Sequence, residues 1–583
     1  MWRRRHAGVV LTAGLLLAAC TSGSAGDGND AASPAEPGVP APPPPGELRP
    51  GPGPIGFVNV APEAGLDFRQ GAFRWGVTPD PVSMTGSGVC WLDYDNDGWL
   101  DLYAVNSYTN EEASQWEDEG GPPRSALFHN EEGSFVDVSE GSGADLDGRG
   151  AGCVAADFDR DGRTDLYVTG ADAGALLWNE GGGRFREGAE EAGVPAIGWY
   201  AGAAAGDVDG NGWPDLFVAG YANTDSPVEG ATLGFPNTYT GVRDLLYLNE
   251  GRSDDGGVTF REVGREAGLE VAAFDYGLGA LFSDLEGDGD LDLFVANDTK
   301  PDRLYDNVPW PGGAAADPAG IGFRFEELAA RAGVADPGAG MGVAEADDDG
   351  DGRDDLFVTN ARGQVHGVFR GQESDVVNPS FRDVRRELGP DLGASTGWGV
   401  SWADLDLDTD LDLVIANGAI PITDPATDAE PLQVFGNLAA QGDGARYADV
   451  GGDAGLGAVG PLLARGSAVA DYDNDGDLDV AVGTVGGPLV LLENQAATGN
   501  WLEVDLGGVV PGATVSVSLA GGHTMTREVH AGSSFQSSED PRPHFGLGDA
   551  EAARRVVVTW PDGEETAVDD VAANQRLVVE RPE

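Results

Sequence analysis

A nine-residue pattern, Asp-x-Asp-x-Asp-Gly-x-x-Asp, recurs seven times between residues 93 and 479, and no other feature of the chain constrains its fold as strongly. The first copy carries Asp93, Asp95, Asp97 and Asp101, and the second Asp157, Asp159, Asp161 and Asp165. The third has Asp207, Asp209, Asn211 and Asp215, with an amide at its fifth position; the fourth has Asp284, Glu286, Asp288 and Asp292, with a longer acid at its third. Asp347, Asp349, Asp351 and Asp355 make the fifth, Asp404, Asp406, Asp408 and Asp412 the sixth, and Asp471, Asp473, Asp475 and Asp479 the seventh. Thr409 stands in the sixth where the others have glycine.

A unit repeated this often implies a repeat architecture. Successive copies start 50 to 77 residues apart, 63 on average, which leaves room for one four-stranded propeller blade of about 40 residues or more per copy. A second signal precedes each acidic segment, as in Phe135-Val136-Asp137-Val138 with Gly143, or Phe260-Arg261-Glu262-Val263 with Ala267-Gly268. Most acidic segments are followed by an apolar pair and an Asn, as in Leu127 to Asn130 and Leu491 to Asn494, whereas the fifth repeat has Gly371 there. The acidic segments run directly into β-rich stretches such as Asp165-Leu166-Tyr167-Val168. The expected fold is all-β: a seven-bladed β-propeller over residues 55–498, then a small antiparallel β-domain over 499–583.

Alternate residues of a tight loop can point inward together, and glycine at the sixth position permits the sharp turn. Carboxylates at positions one, three, five and nine then surround one point. Hard oxygen donors in that number suit calcium far better than zinc or copper, so the chain is expected to hold up to seven calcium ions, first of all as structural elements. An EF-hand begins the same way but needs Glu at position twelve between two helices. Position twelve here is Ala104, Val168, Val218, Val295, Val358, Ile415 and Val482, so each loop belongs to a β-hairpin. The bland alternative is a set of solvated acidic turns.

The amino terminus carries Arg3, Arg4 and Arg5 and then an apolar run from Val9 to Ala19, which is too short for a mature membrane span and reads as an export signal over 1–19. Leu17-Ala18-Ala19-Cys20 resembles the lipobox of bacterial lipoproteins. That resemblance implies a lipid on Cys20 and a chain anchored in the cell envelope. Residues 20–54, rich in Pro, Gly, Ser and Ala, read as a tether. Export makes a Cys90–Cys153 disulfide possible, although two buried free thiols fit the spacing equally well.

With 99 acidic against 34 basic residues, the net charge of −65 repels polyphosphate and argues against nucleic acid as a partner. The expected partner is a protein or a glycan. If the acidic loops sit at one end of the blades, the long connections Asn106 to Arg124, Tyr221 to Arg243 and Gly418 to Leu432 emerge at the opposite face, with Trp116, Phe235 and Tyr239 as aromatic surface. No nucleophile elbow, compact zinc motif or phosphate loop is present. His544 reads as a structural histidine. The alternatives kept beside a recognition protein are an envelope enzyme, glycan-active or redox, and a scaffold subunit of an envelope complex.

The carboxy-terminal region contains, in order, Gly512-Ala513-Thr514-Val515-Ser516-Val517, Arg527-Glu528-Val529, Ser537 and Ser538, His544-Phe545-Gly546-Leu547-Gly548, and Val556-Val557-Val558-Thr559-Trp560-Pro561-Asp562-Gly563. These residues resemble the ASPIC/UnbV domain. The acidic repeats resemble the FG-GAP or VCBS type of blade found in integrin α-subunit propellers, and the two together resemble the cartilage acidic protein family. What the resemblance implies is a secreted, calcium-binding propeller; it leaves the ligand open.

Overall fold

The computed structural model describes residues 55–253, 256–269, 275–374, 379–388, 392–438 and 447–582. The export signal, Cys20 and the tether lie outside the described residues.

Each repeat folds into successive hairpins, because alternating apolar residues bury one face of each strand while Asp- and Gly-rich turns reverse the chain. Seven four-stranded antiparallel sheets result. The first blade runs from Val89–Leu92 through Asp101–Ala104 and Ala126–Glu131 to Ser134–Asp137. The innermost strands of successive blades pack against one another, and that of blade seven, Ala464–Ala470, returns against that of blade one, so the blades form a ring. Phe57–Asn59 closes it by pairing with Val490–Asn494 as the outer strand of blade seven. The sequence repeat is therefore offset from the blade by one strand.

Glycine explains how the blades approach so closely. A Cβ on Gly202 would stand 2.3 Å from the carbonyl oxygen of Leu278 in the next blade, and one on Gly279 would stand 2.4 Å from that of Met341. The Phe and Ala-Gly signals meet across blades as well. The Phe135 amide donates to the Ala64 carbonyl, and Phe185 donates likewise to Ser142. The inner strands of blades one and two are also stapled by a Cys90–Cys153 disulfide with Cα atoms 6.1 Å apart, which resolves the alternative left open by the spacing.

Residues 499–582 form two further sheets. One pairs Asn500–Asp505 with His544–Gly548 and Gln575–Val578, and the other joins Thr524–Glu528, Thr514–Ser518, Ala552–Thr559 and Glu565–Ala572. Val515, Val517, Phe545, Val556 and Trp560 fill the space between them. Pairing is antiparallel except between Asn500–Asp505 and Gln575–Val578, which run parallel. The propeller and this domain belong to one compact unit. A segment of the domain enters the ring axis: Ala531 bridges Ala205 of blade three, Ser534 bridges Val343 of blade five, and Ser538 bridges Cys90 of blade one. Phe535 packs edge-on against Trp398, with ring centroids 4.9 Å apart.

Candidate metal centres

Every acidic loop closes by the same pair of hydrogen bonds to the carboxylate at its first position. In the first, the Asp93 carboxylate accepts from the amides of Asp97 and Gly98 at 3.0 and 2.9 Å. Asp97 accepts from Trp99, and Asp101 from Tyr94 and Asn130. The position-one bonds repeat at Asp157, Asp207, Asp284, Asp347, Asp404 and Asp471. Sharp turns thus use backbone amides to orient carboxylates, leaving the remaining lone pairs to converge.

Convergence is close. Asp93, Asp95 and Asp97 offer oxygens within 4.8 Å of one another, as do Asp157, Asp159 and Asp165, and Asp207, Asp209 and Asp215. In the fourth loop the set is Glu286, Asp292 and Asp306. Burial, with the neighbouring carboxylates adding to it, pushes Asp165 up to about 8 and Asp355 up to about 9, and holds Asp215 and Asp479 well above the usual range. Asp292 Oδ2 and Asp479 Oδ2 are buried with no hydrogen-bond donor. Buried, converging and partly unpartnered oxygens of this kind fit a hard divalent cation.

Thr409 adopts φ +88° and its amide still donates to Asp404, so the sixth turn forms without glycine. Arginines pair with carboxylates of the second and fifth loops. Arg163 pairs with Asp161 and Arg252 with Asp159 in the second; Arg353 pairs with Asp351, and Arg370 with Asp348 and Asp349, in the fifth.

An Asn on the third strand of blades one, two, three, four and seven joins neighbouring loops. Asn249 donates its backbone amide to Asp215 and its side-chain amide to the carbonyls of Pro214 and Phe158, the latter in the loop of the preceding blade. Asn130, Asn179, Asn307 and Asn494 make the corresponding contacts. In blades one and four the residue before this Asn reaches the loop, a role not expected from the nine-residue pattern. His129 Nδ1 lies 3.0 Å from Asp101 Oδ1 and 3.7 Å from Asp95 Oδ2, and Asp306 joins the fourth cluster. The signal was present as a fixed offset from Asn, but its variable chemistry concealed it.

The carboxy-terminal domain covers the acidic-loop face. Arg576 donates to Gly98 O, Arg542 approaches Asp471 O, and His544 Nε2 meets Gly476 O at 3.0 Å. His544 stacks on Trp501, which matches its structural reading. Between this domain and blades five to seven lies a cavity of about 120 Å³ lined by Glu345, Glu528, His530 and Glu539 among others. The long connections emerge at the opposite face. On the first of them, Trp116 meets Trp75 edge-on with Arg74 over both rings. Phe235 is half-buried against Trp199, Tyr221 and Tyr239, so the third-blade connection is anchored by its aromatics. Among the described residues, no helix is long and apolar enough to cross a membrane.

Comparison with known proteins places two descriptions on the chain: FG-GAP-like repeat over residues 93–168 and 157–218, and ASPIC and UnbV over 509–583. Cartilage acidic protein 1 of Mus musculus is 27% identical over 350 residues, covering 50% of this chain and 53% of that protein. The Homo sapiens protein is 27% identical over 348 residues, covering 55% and 46%. The chain thus spans about half the length of the curated relatives it matches. Among solved structures, a lectin of Agrocybe aegerita described as recognising non-reducing terminal N-acetylglucosamine aligns at TM-score 0.35 and 15% identity, covering 71% of this chain and 91% of that one. Rhamnogalacturonan lyase YesW aligns at 0.36 and 12%, covering 76% and 77%. At those scores neither likeness bears on what this chain binds.

Proposed function

Because the chain is a homologue of cartilage acidic protein 1 that carries FG-GAP-like repeats and a carboxy-terminal ASPIC and UnbV domain, we propose that it is an exported recognition or adhesion protein whose propeller is stiffened by calcium. The observation that carries this reading is the recurrence of one carboxylate-lined loop in all seven blades, with oxygens converging in the first four and buried donor-free oxygens on Asp292 and Asp479. Calcium in these loops would offset the repulsion among clustered carboxylates and hold each hairpin in its native turn. The protein is exported and held in the cell envelope by a lipid on Cys20, and it carries its partner site on the face opposite the acidic loops.

Support for that face is geometric. The carboxy-terminal domain occupies the acidic-loop face, whereas the long connections and the Arg74, Trp75 and Trp116 stack stand on the other, with Trp75 41% exposed. Indole rings stack on sugars and on cationic side chains, and Glu111, Glu117 and Glu119 around them favour a neutral glycan or a basic protein over an anion. A glycan array and a basic-protein panel probed with the full chain test the reading. Calcium-dependent binding that falls at least tenfold in Trp116→Ala is expected. Binding that survives both chelation and Trp116→Ala would overturn the assignment of the face.

A further inference from the structure

The fourth acidic loop differs from the rest in a way that identifies an additional ligand. Its third position is Glu286, one methylene longer than the aspartates at that position in the other loops. The longer arm reaches beyond the nine-residue loop to the third strand of its blade, Arg303–Pro309, where Asp306 stands immediately before Asn307. Oxygens of Glu286, Asp292 and Asp306 lie within 4.8 Å of one another. Asp292 is 1% exposed, and its Oδ2 has no donor; Glu286 Oε2 is buried and lacks one as well. Asp292 Oδ1 is already engaged by the Asn307 amide at 2.9 Å, so Oδ2 is the oxygen left for a ligand.

We propose that Asp306 is a cation ligand, so that the fourth blade holds its ion between the loop and the third strand with one carboxylate more than the loop itself supplies. The inference rests on the calcium reading of the acidic loops. Three carboxylates, two of them with buried donor-free oxygens, cannot share so small a space without a proton or a cation between them. Hard oxygen donors, all anionic, select a divalent ion such as calcium over softer metals. The same structural position carries Trp178 in blade two, Leu248 in blade three and Gly436 in blade six, none of which can ligate a hard cation; blade one has His129 there, and blade seven Glu493, whose carboxylate accepts from the Tyr472 hydroxyl and the Gln495 amide. In blade five it carries Arg370, whose guanidinium itself approaches Asp348 and Asp349. One position on the third strand therefore adds a ligand in blade four and a resident positive charge in blade five.

The test is calcium titration of the full chain by calorimetry, comparing wild type with Asp306→Asn and Leu248→Ala. Thermal melting is followed with calcium and after chelation. Asp306→Asn keeps the shape of the side chain and removes its charge. It is expected to weaken one site at least tenfold, to lower the melting temperature in calcium and to raise it in chelator, while Leu248→Ala leaves every calcium site unchanged. That reversal of sign distinguishes a ligand from a packing residue, which would lower both melting temperatures. Asp306→Asn with wild-type titration curves, or with melting lowered equally in both conditions, overturns the role of Asp306. A wild-type chain that binds no calcium at any loop overturns instead the reading on which the proposal rests.

Discussion

Gly143 adopts φ +87°, and a Cβ there would stand 2.1 Å from the carbonyl oxygen of Phe185 in the following blade. Both the torsion and the contact exclude a side chain, so Gly143→Ala should cost at least ~2 kcal/mol in chemical denaturation. A loss below about 0.5 kcal/mol would show that the blades can separate locally. The Ala-Gly signal was legible as a repeat, but its reason was not, because the partner carbonyl lies in another blade. His544 makes a second case. Burial lowers it from 6.5 to about 4, so the unfolded chain binds the proton more readily than the folded one. Its contribution is intact above pH 6.5 and is lost as pH falls through 6.5 toward 4, by ~3 kcal/mol in all. Wild type should therefore lose stability over that interval more steeply than His544→Gln, and parallel profiles would contradict the buried neutral imidazole.

At the scale of the element, the hairpin loops are held both internally and to one another. Asn249 is buried and donates to two carbonyls in different blades. Asn249→Ala would leave both acceptors unsatisfied, costing about 2–3 kcal/mol, and urea denaturation reads that loss. The Cys90–Cys153 disulfide closes a segment with a sequence separation of 63. Replacing both residues by Ala should lower stability by roughly 4 kcal/mol on the loop-entropy account; a double mutant as stable as wild type would mean that the ring contacts alone fix those strands. The loops, the strands after them and the seven-blade count were all readable, because each rests on local spacing. Asp306 and His129 were not, because they come from a strand whose distance from the loop varies between blades.

For the whole molecule, the carboxy-terminal domain completes the propeller. Its strands were legible from the alternation of Val515, Val517 and Val556 to Trp560. Its docking was not, because residues 531–538, which cross the axis, are mostly small and polar with no strand periodicity. They are placed by backbone bridges to blades one, three and five, and no local pattern encodes bridges of that range. The acidic loops, by contrast, recur in every blade, so the rigidity of the whole ring depends on what they hold. The measurement that tests it most directly is the calcium content of the purified full chain, taken together with its melting temperature in calcium and after chelation. Close to one ion per loop is expected, with a large fall in melting temperature when calcium is removed. A chain that purifies without calcium and melts identically in both conditions would contradict it.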